Sequence, residues 1–225
     1  MPKIRVHSLA HVHYQHPDLK VATQFLTDFG FKETQRTSNP TRVYYRGSGT
    51  QPYVYVAEQS PDSDRHFLGA TWNVESARDL DIAASLQCSV TGVVDSEGPG
   101  GGREVTVKDP VGFAVSFIHG QKLVAELPHD VQEQEINFPD RKPRLGRFLR
   151  FNHGPSDVHK FGHYGIMVPQ AKFTEVVAFY QDLINLVDSD TNFNAETGED
   201  QLKFMHIDKG KEYSDHHVCP HHLSA

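Results

Sequence analysis

The sequence predicts an α+β fold: tandem strand-helix-strand-strand-strand modules with curved mixed sheets, the second module incomplete at the C-terminus. Three observations carry this. A segment near the N-terminus recurs in the second half of the chain. Each copy reads as a short strand, a proline stop and an amphipathic helix. Short strand-like runs bounded by glycine, proline and aspartate then follow the first copy.

The repeat lays LAHVHYQHPDLKVATQFLTDFGF (9–31) on FGHYGIMVPQAKFTEVVAFYQDLINL (161–186). His11 falls on His163, Pro17 on Pro169 and Lys20 on Lys172; after a two-residue insertion, Phe25 falls on Phe179 and Asp28 on Asp182. A polar histidine at one strand position in both copies is the feature least easily explained by packing. In the first helix Val21, Phe25, Leu26 and Phe29 are expected to share a core-facing stripe. In the second, Phe173, Val176, Val177, Tyr180, Leu183 and Ile184 follow the same helical spacing.

After the first helix come strand-like runs at TRVYYRG, PYVYVAE and FLGATWNV, counted here as the three strands that complete the first unit. A helix follows at SARDLDIAASLQ, where Ser76 and Asp79 stand at capping-box spacing. REVTVKD and GFAVSFIHG flank Asp109-Pro110-Val111-Gly112, whose proline second and glycine fourth suit a tight type I turn. Residues 1–120 are thus one module. Residues 121–159 lose the pattern, and their proline and charge content reads as a linker wrapping one module onto the next. The second module, 160–225, gives a strand, a helix and a strand at QLKFMHIDKG, and is roughly half the length of the first.

Composition excludes several classes. With 22 basic against 29 acidic residues, a net charge of −7 and no basic run, neither nucleic acid nor an anionic membrane is a suggested partner. No apolar stretch reads as a leader or a membrane span. Two cysteines, Cys88 and Cys219, make no disulfide framework, so a reducing, cytoplasmic setting is the default expectation. Histidine is the outlier at 15 residues.

Paired units of this order with a histidine on the opening strand resemble the vicinal oxygen chelate superfamily. It includes glyoxalase I, bleomycin-resistance proteins and extradiol ring-cleaving dioxygenases. The closer resemblance is to two-module extradiol enzymes of the dihydroxybiphenyl dioxygenase type. It rests on Gly162-His163, Phe179-Tyr180-Gln181-Asp182, Phe204-Met205-His206 and His216-His217, and covers about residue 4 to His217.

The resemblance implies an iron(II)-dependent oxidoreductase of aromatic compound catabolism that inserts both oxygens of O2 into a small aromatic diol. Iron is expected in the complete protein, held by two histidines and a glutamate on one face. Carried over by position, His163 is the first metal ligand and His217 the acid-base histidine that handles a catechol proton. The second ligand histidine and the glutamate fall on strands expected beyond this sequence, so this chain is expected to be an incomplete, inactive form. Alternation puts His163, Gly165 and Met167 on one face, with Gly165 leaving room for a ring. A homo-oligomer stays open.

In the first module the repeat-equivalents of the absent ligands are Gly69 and Ser116, so His11 stands alone and that module is read as non-metal. The terminal cluster of His216, His217, Cys219, His221 and His222 crowds one short tail, unlike the spaced pairs of a structural zinc site. It is read as an abnormal end without designed geometry. SEGPGGG (96–102) lacks the Gly-Lys-Ser/Thr of a phosphate loop and reads as a flexible connection, with Asp95 and Glu97 as solvated carboxylates. The alternative function is a non-catalytic small-molecule-binding protein of the glyoxalase/bleomycin-resistance type. A glyoxalase-like lyase is a weaker third reading.

Overall fold

Val6–His16 forms the opening strand β1, and Asp18 ends it by capping the helix α1 (Leu19–Phe29). The Asp18 carboxylate accepts the N–H groups of Lys20 and Val21, and Gly30 closes α1 in the left-handed conformation at φ 119°. Strands β2 (Lys32–Ser38), β3 (Thr41–Arg46) and β4 (Tyr55–Gln59) complete a first unit. The second unit is β5 (His66–Val74), α2 (Ala77–Ala84), β6 (Val94–Asp95), β7 (Arg103–Lys108) and β8 (Ala114–His119). The third is β9 (His163–Met167), a 3-10 turn at Gln170–Lys172, α3 (Phe173–Leu183), β10 (Leu186–Phe193), β11 (Asp200–Ile207) and β12 (His217–His221). The structure is a computed structural model and describes residues 2–128, 135–146, 153–210, 214 and 216–222.

The first two units share one eight-stranded mixed sheet in the order β2-β3-β4-β1-β5-β8-β7-β6. Its seam is the antiparallel pair β1·β5, with His11 opposite Thr71. The third unit forms a four-stranded sheet, β10-β11-β12-β9, closed by the parallel pair β12·β9. The α+β fold with curved mixed sheets and a shorter second module is therefore the observed architecture.

One apolar core spans both sheets. Trp72 of β5, fully buried, lies 6.1 Å from Tyr164 of β9 between ring centroids, and Val6, Leu9, Phe117, Val176 and Ile207 fill the same cluster. Burying each such side chain stabilises by about 1.5–3 kcal/mol, so the two sheets fold against each other rather than as beads on a string. At the junction the buried Asn185 takes the place of a strand neighbour. Its Oδ1 accepts the Val6 N–H at 2.7 Å and its Nδ2 donates to the Val6 carbonyl at 3.1 Å.

Several local readings hold. Ser76 and Asp79 form the capping box of α2. The Gly112 N–H donates to the Asp109 carbonyl at 3.0 Å across the turn. Phe173, Val176, Val177 and Tyr180 are the buried face of α3.

Three readings are corrected. FLGATWNV opens the second unit as β5 instead of ending the first, because the missing strand is KETQRTS, β2. This strand is polar and almost wholly exposed at the sheet edge, so it carries no apolar alternation to read. Its counterpart β10, VDSDTNF after a buried Leu186, escapes for the same reason at the edge of the other sheet. In α1 the buried residues are Leu19, Ala22 and Leu26, while Val21 and Phe25 are each 65% exposed. The helix is rotated relative to the expected stripe, and its outer aromatics stack on each other, Phe25 on Phe29 and Phe29 on Phe31. Finally, the terminal cluster is not without geometry: His217–His221 is strand β12, inserted between β11 and β9, with Val218, Cys219 and Pro220 buried.

Of the segment expected to be a linker, 121–159, residues 129–134 and 147–152 lie outside the described residues. Its two flanking stretches dock on Gly47-Ser48-Gly49, where Ser48 donates its N–H to the Val158 carbonyl and Leu127 donates to the Ser48 carbonyl. A Cβ at Gly47 would stand 2.5 Å from the carbonyl oxygens of Val158 and His159, so glycine is what allows the approach.

Candidate functional site

The two histidines selected from the sequence meet in the second sheet. His163 at the start of β9 and His217 at the start of β12 are register partners across the parallel pair. Opposed residues in a ladder project to the same face. That face is the open one: along β9, His163, Gly165 and Met167 are exposed, while Tyr164 and Ile166 are buried. A Cβ at Gly165 would meet only the Cys219 carbonyl oxygen, at 3.6 Å, so the face beside His163 is clear of side chains at this step.

A third histidine continues the row. His206 on β11 is the register partner of His217 on its other side, with ring centroids 6.1 Å apart. Its Nδ1 lies 2.6 Å from the Ser189 hydroxyl, which fixes the ring and leaves Nε2 on the far side. Sequence reasoning gave His206 no role, although Phe204-Met205-His206 was the signal that could have found it. Imidazole is a preferred ligand for iron, zinc and related metals, and register partners on adjacent strands are the arrangement from which a shared site can be built. The third member of a facial set is not at hand: among the described residues no three His, Cys, Asp or Glu groups converge as a metal site would require.

The remaining terminal histidines scatter. His216 is buried and its Nδ1 accepts the Leu9 N–H at 3.2 Å, tying the strand to β1. His222 is buried on the Asp200 carbonyl at 2.7 Å, and His221 sits against the Met167 sulfur. Burial pushes the Cys219 thiol up to about 11, the opposite of what a metal-bound thiolate needs.

In the first sheet His11, Gly69 and Ser116 line one cavity of about 560 Å³, so the positions matched through the repeat do come together there. They hold a single imidazole among them. His11 is buried, its Nε2 3.1 Å from the Thr71 hydroxyl, and desolvation drives its pKa down to about 3, keeping it neutral. The strand that answers β12 in the first unit is β4, whose residues paired with β1, from Tyr55 opposite Val12 to Gln59 opposite His16, include no histidine.

No protein-family model matches the sequence, and no curated protein matches it. Solved structures do. A Mn(II)-bound glyoxalase from Novosphingobium aromaticivorans superposes with a TM-score of 0.73 at 14% identity, over 98% of this chain and 63% of its own. Homoprotocatechuate 2,3-dioxygenase from Arthrobacter globiformis gives 0.73 at 16% identity, over 100% of this chain and 62% of its own. The 2,3-dioxygenase LapB from Pseudomonas sp. KL28 gives 0.69 at 14%, over 100% and 73%. The chain thus spans under two thirds of the length of the first and second of these. Identities this low speak for the fold, while the share of the chain that is matched leaves no element of it outside. The chain has the fold of the vicinal oxygen chelate superfamily.

Proposed function

We propose that this chain carries part of the metal centre of an iron(II)-dependent extradiol dioxygenase, which opens a catecholic ring with O2. The observation that carries the reading is the register pairing of His163 with His217 on an open sheet face, in a fold whose solved examples include 2,3-dioxygenases. His163 is the first ligand. The same pairing favours His217 as the second ligand instead of the acid-base group, and moves the acid-base role to His206, one strand further out. A carboxylate completing the set belongs to residues other than those described around the pair.

When bound, iron(II) would supply a site where a diol and dioxygen are held side by side. The protein's own part is simpler. His163 and His217 present ring nitrogens from paired strands, Gly165 clears room for a flat ring, and His206, oriented by Ser189, is placed to take a phenolic proton.

Copper(II) loading of the chain, read by the nitrogen splitting in its electron paramagnetic resonance, tests the ligand pair without requiring turnover. Two nitrogens are expected, with one lost in His163→Ala and one in His217→Ala. Anaerobic iron loading followed by exposure to O2 with catechol, 2,3-dihydroxybiphenyl and 3,4-dihydroxyphenylacetate tests the reaction. Copper binding that survives both substitutions would remove the assignment.

A further inference from the structure

The histidine face leaves the cavity of the first sheet unused. Its floor is a row of polar side chains in register across four strands: His11 of β1, Thr71 of β5, Ser116 of β8 and Thr106 of β7. The row is hydrogen-bonded in two pairs, His11 Nε2 with the Thr71 hydroxyl and Thr106 with Ser116 at 2.8 Å. The other ring nitrogen of His11, Nδ1, is buried and has no hydrogen-bond partner, though the residue is only 7% exposed. A buried polar atom of that kind costs free energy unless something meets it.

One side of the mouth is bordered by the start of the glycine-rich loop, Ser96 to Gly98. Arg42 of β3 reaches across to Glu97 at 3.4 Å, joining nearly opposite edges of the sheet. Gly98 lies so close to Tyr53 that a Cβ there would stand 2.5 Å from its hydroxyl. SEGPGGG is a loop, as expected, whose Gly98 packs on the aromatic wall and whose Glu97, though largely exposed, borders the cavity.

Charge decides what such a space can hold. Asp95, Glu97 and Glu104 line it against a single guanidinium, Arg42, and no lysine. Arg42 is already committed, its Nε to Glu58 at 2.5 Å and its Nη1 to Glu97. An anion would find no spare positive charge. Glu104 forms no ion pair among the described residues; burial pushes its carboxyl above the usual range against the weaker pull of Ser96 and Arg42, so it has room for a further positive partner. The aromatic wall supplies the complement: Tyr44 meets Tyr53 edge-on at 5.1 Å, and Tyr53 packs 4.5 Å from the His11 ring. Carboxylates, a neutral imidazole able to accept, and tyrosine rings are what a positively charged nitrogen on a flat ring system requires. The volume suits one such molecule, being within the roughly 300–1,000 Å³ of ordinary ligand sites.

We propose that the cavity lined by β1, β3 to β8 and the loop start Ser96-Glu97-Gly98 binds a small organic cation, a primary amine or guanidine carried on an aromatic ring. The site is separate from the histidine face and does not depend on its chemistry.

Calorimetric titration of the full chain with phenethylamine, 2-phenylethanol and phenylacetate tests this, since the three share a ring and differ in charge. The amine is expected to bind, the alcohol at least roughly tenfold more weakly, and the acid not at all. Glu104→Gln should weaken the amine by roughly tenfold and leave the alcohol unchanged. Asp95→Asn, at an exposed strand end, gives the same comparison if the first variant does not fold. Equal binding of amine and alcohol, an unchanged amine affinity in a folded charge-neutral variant, or no amine binding at millimolar concentration would each overturn the proposal.

Discussion

Asn185 holds both backbone groups of Val6, accepting its N–H and donating to its carbonyl through one side-chain amide. Ile4 and Ile184 form a parallel bridge alongside, so the first strand of one sheet is stitched to the strand entrance of the other. Asn185→Ala would leave two buried backbone groups without partners, at about 1–3 kcal/mol for each. Asn185→Asp keeps the acceptor but loses the donor. The expected order in urea denaturation is wild type, then Asp, then Ala. An Ala variant within about 0.5 kcal/mol of wild type would mean that water replaces the amide.

The division of labour along the histidine row has its own test. His206→Ala should leave metal affinity within a few fold, whereas His163→Ala and His217→Ala should each lower it by roughly tenfold or more. Isothermal titration with a divalent ion in the absence of substrate measures this directly. If His206→Ala lowered affinity as much as His217→Ala, His206 would be a ligand and its proposed acid-base role would fall.

Gly30 has two reasons to be glycine. Its φ is 119°, and a Cβ would come 1.9 Å from the Ser156 carbonyl oxygen of the strap that leads into β9. Backbone cannot swing aside as a side-chain tip can. Gly30→Ala is therefore expected to cost about 2 kcal/mol or more and to loosen the strap. Limited trypsinolysis should then show faster cutting at Lys160. Unchanged stability and unchanged cutting would mean that the strap is not held at Gly30.

His11 makes the chain sensitive to acid. Desolvation puts its folded pKa at about 3, below the ordinary 6.5, so between those values the unfolded chain binds the extra proton. Stability should be fully present above about pH 6.5 and fall as pH drops towards 3, by up to about 1.4 kcal/mol per pH unit for this group. His13, pushed to about 4 by burial against the opposing pull of Glu58, adds to the same slope. His11→Gln should flatten the dependence of urea stability between pH 7 and pH 4.5. A slope equal to wild type would place the acid sensitivity elsewhere.

The sequence by itself determined the parts whose cause is local. Prolines 17 and 169, the Ser76–Asp79 capping box, the Asp109–Gly112 turn and the 3.6-residue apolar spacing of α3 each specify backbone within a few residues of themselves. The face shared by His163, Gly165 and Met167 was legible for the same reason: strand alternation is a two-residue rule. What it left hidden depends on neighbours far along the chain. Strands β2 and β10 are polar because they are edges, and an edge position exists only once the sheet has assembled. The rotation of α1 follows from how little of it the sheet covers, not from its own pattern. Tertiary structure alone made HVCPH a central strand, because β9 and β11 offer it hydrogen bonds on both sides despite a proline within it. With that strand in place, His163 and His217, 54 positions apart in sequence, become neighbours on one face. In the same way the curl of the first sheet carries Glu97 over to Arg42, so that a carboxylate which stays solvated, as its loop setting suggests, also borders a cavity.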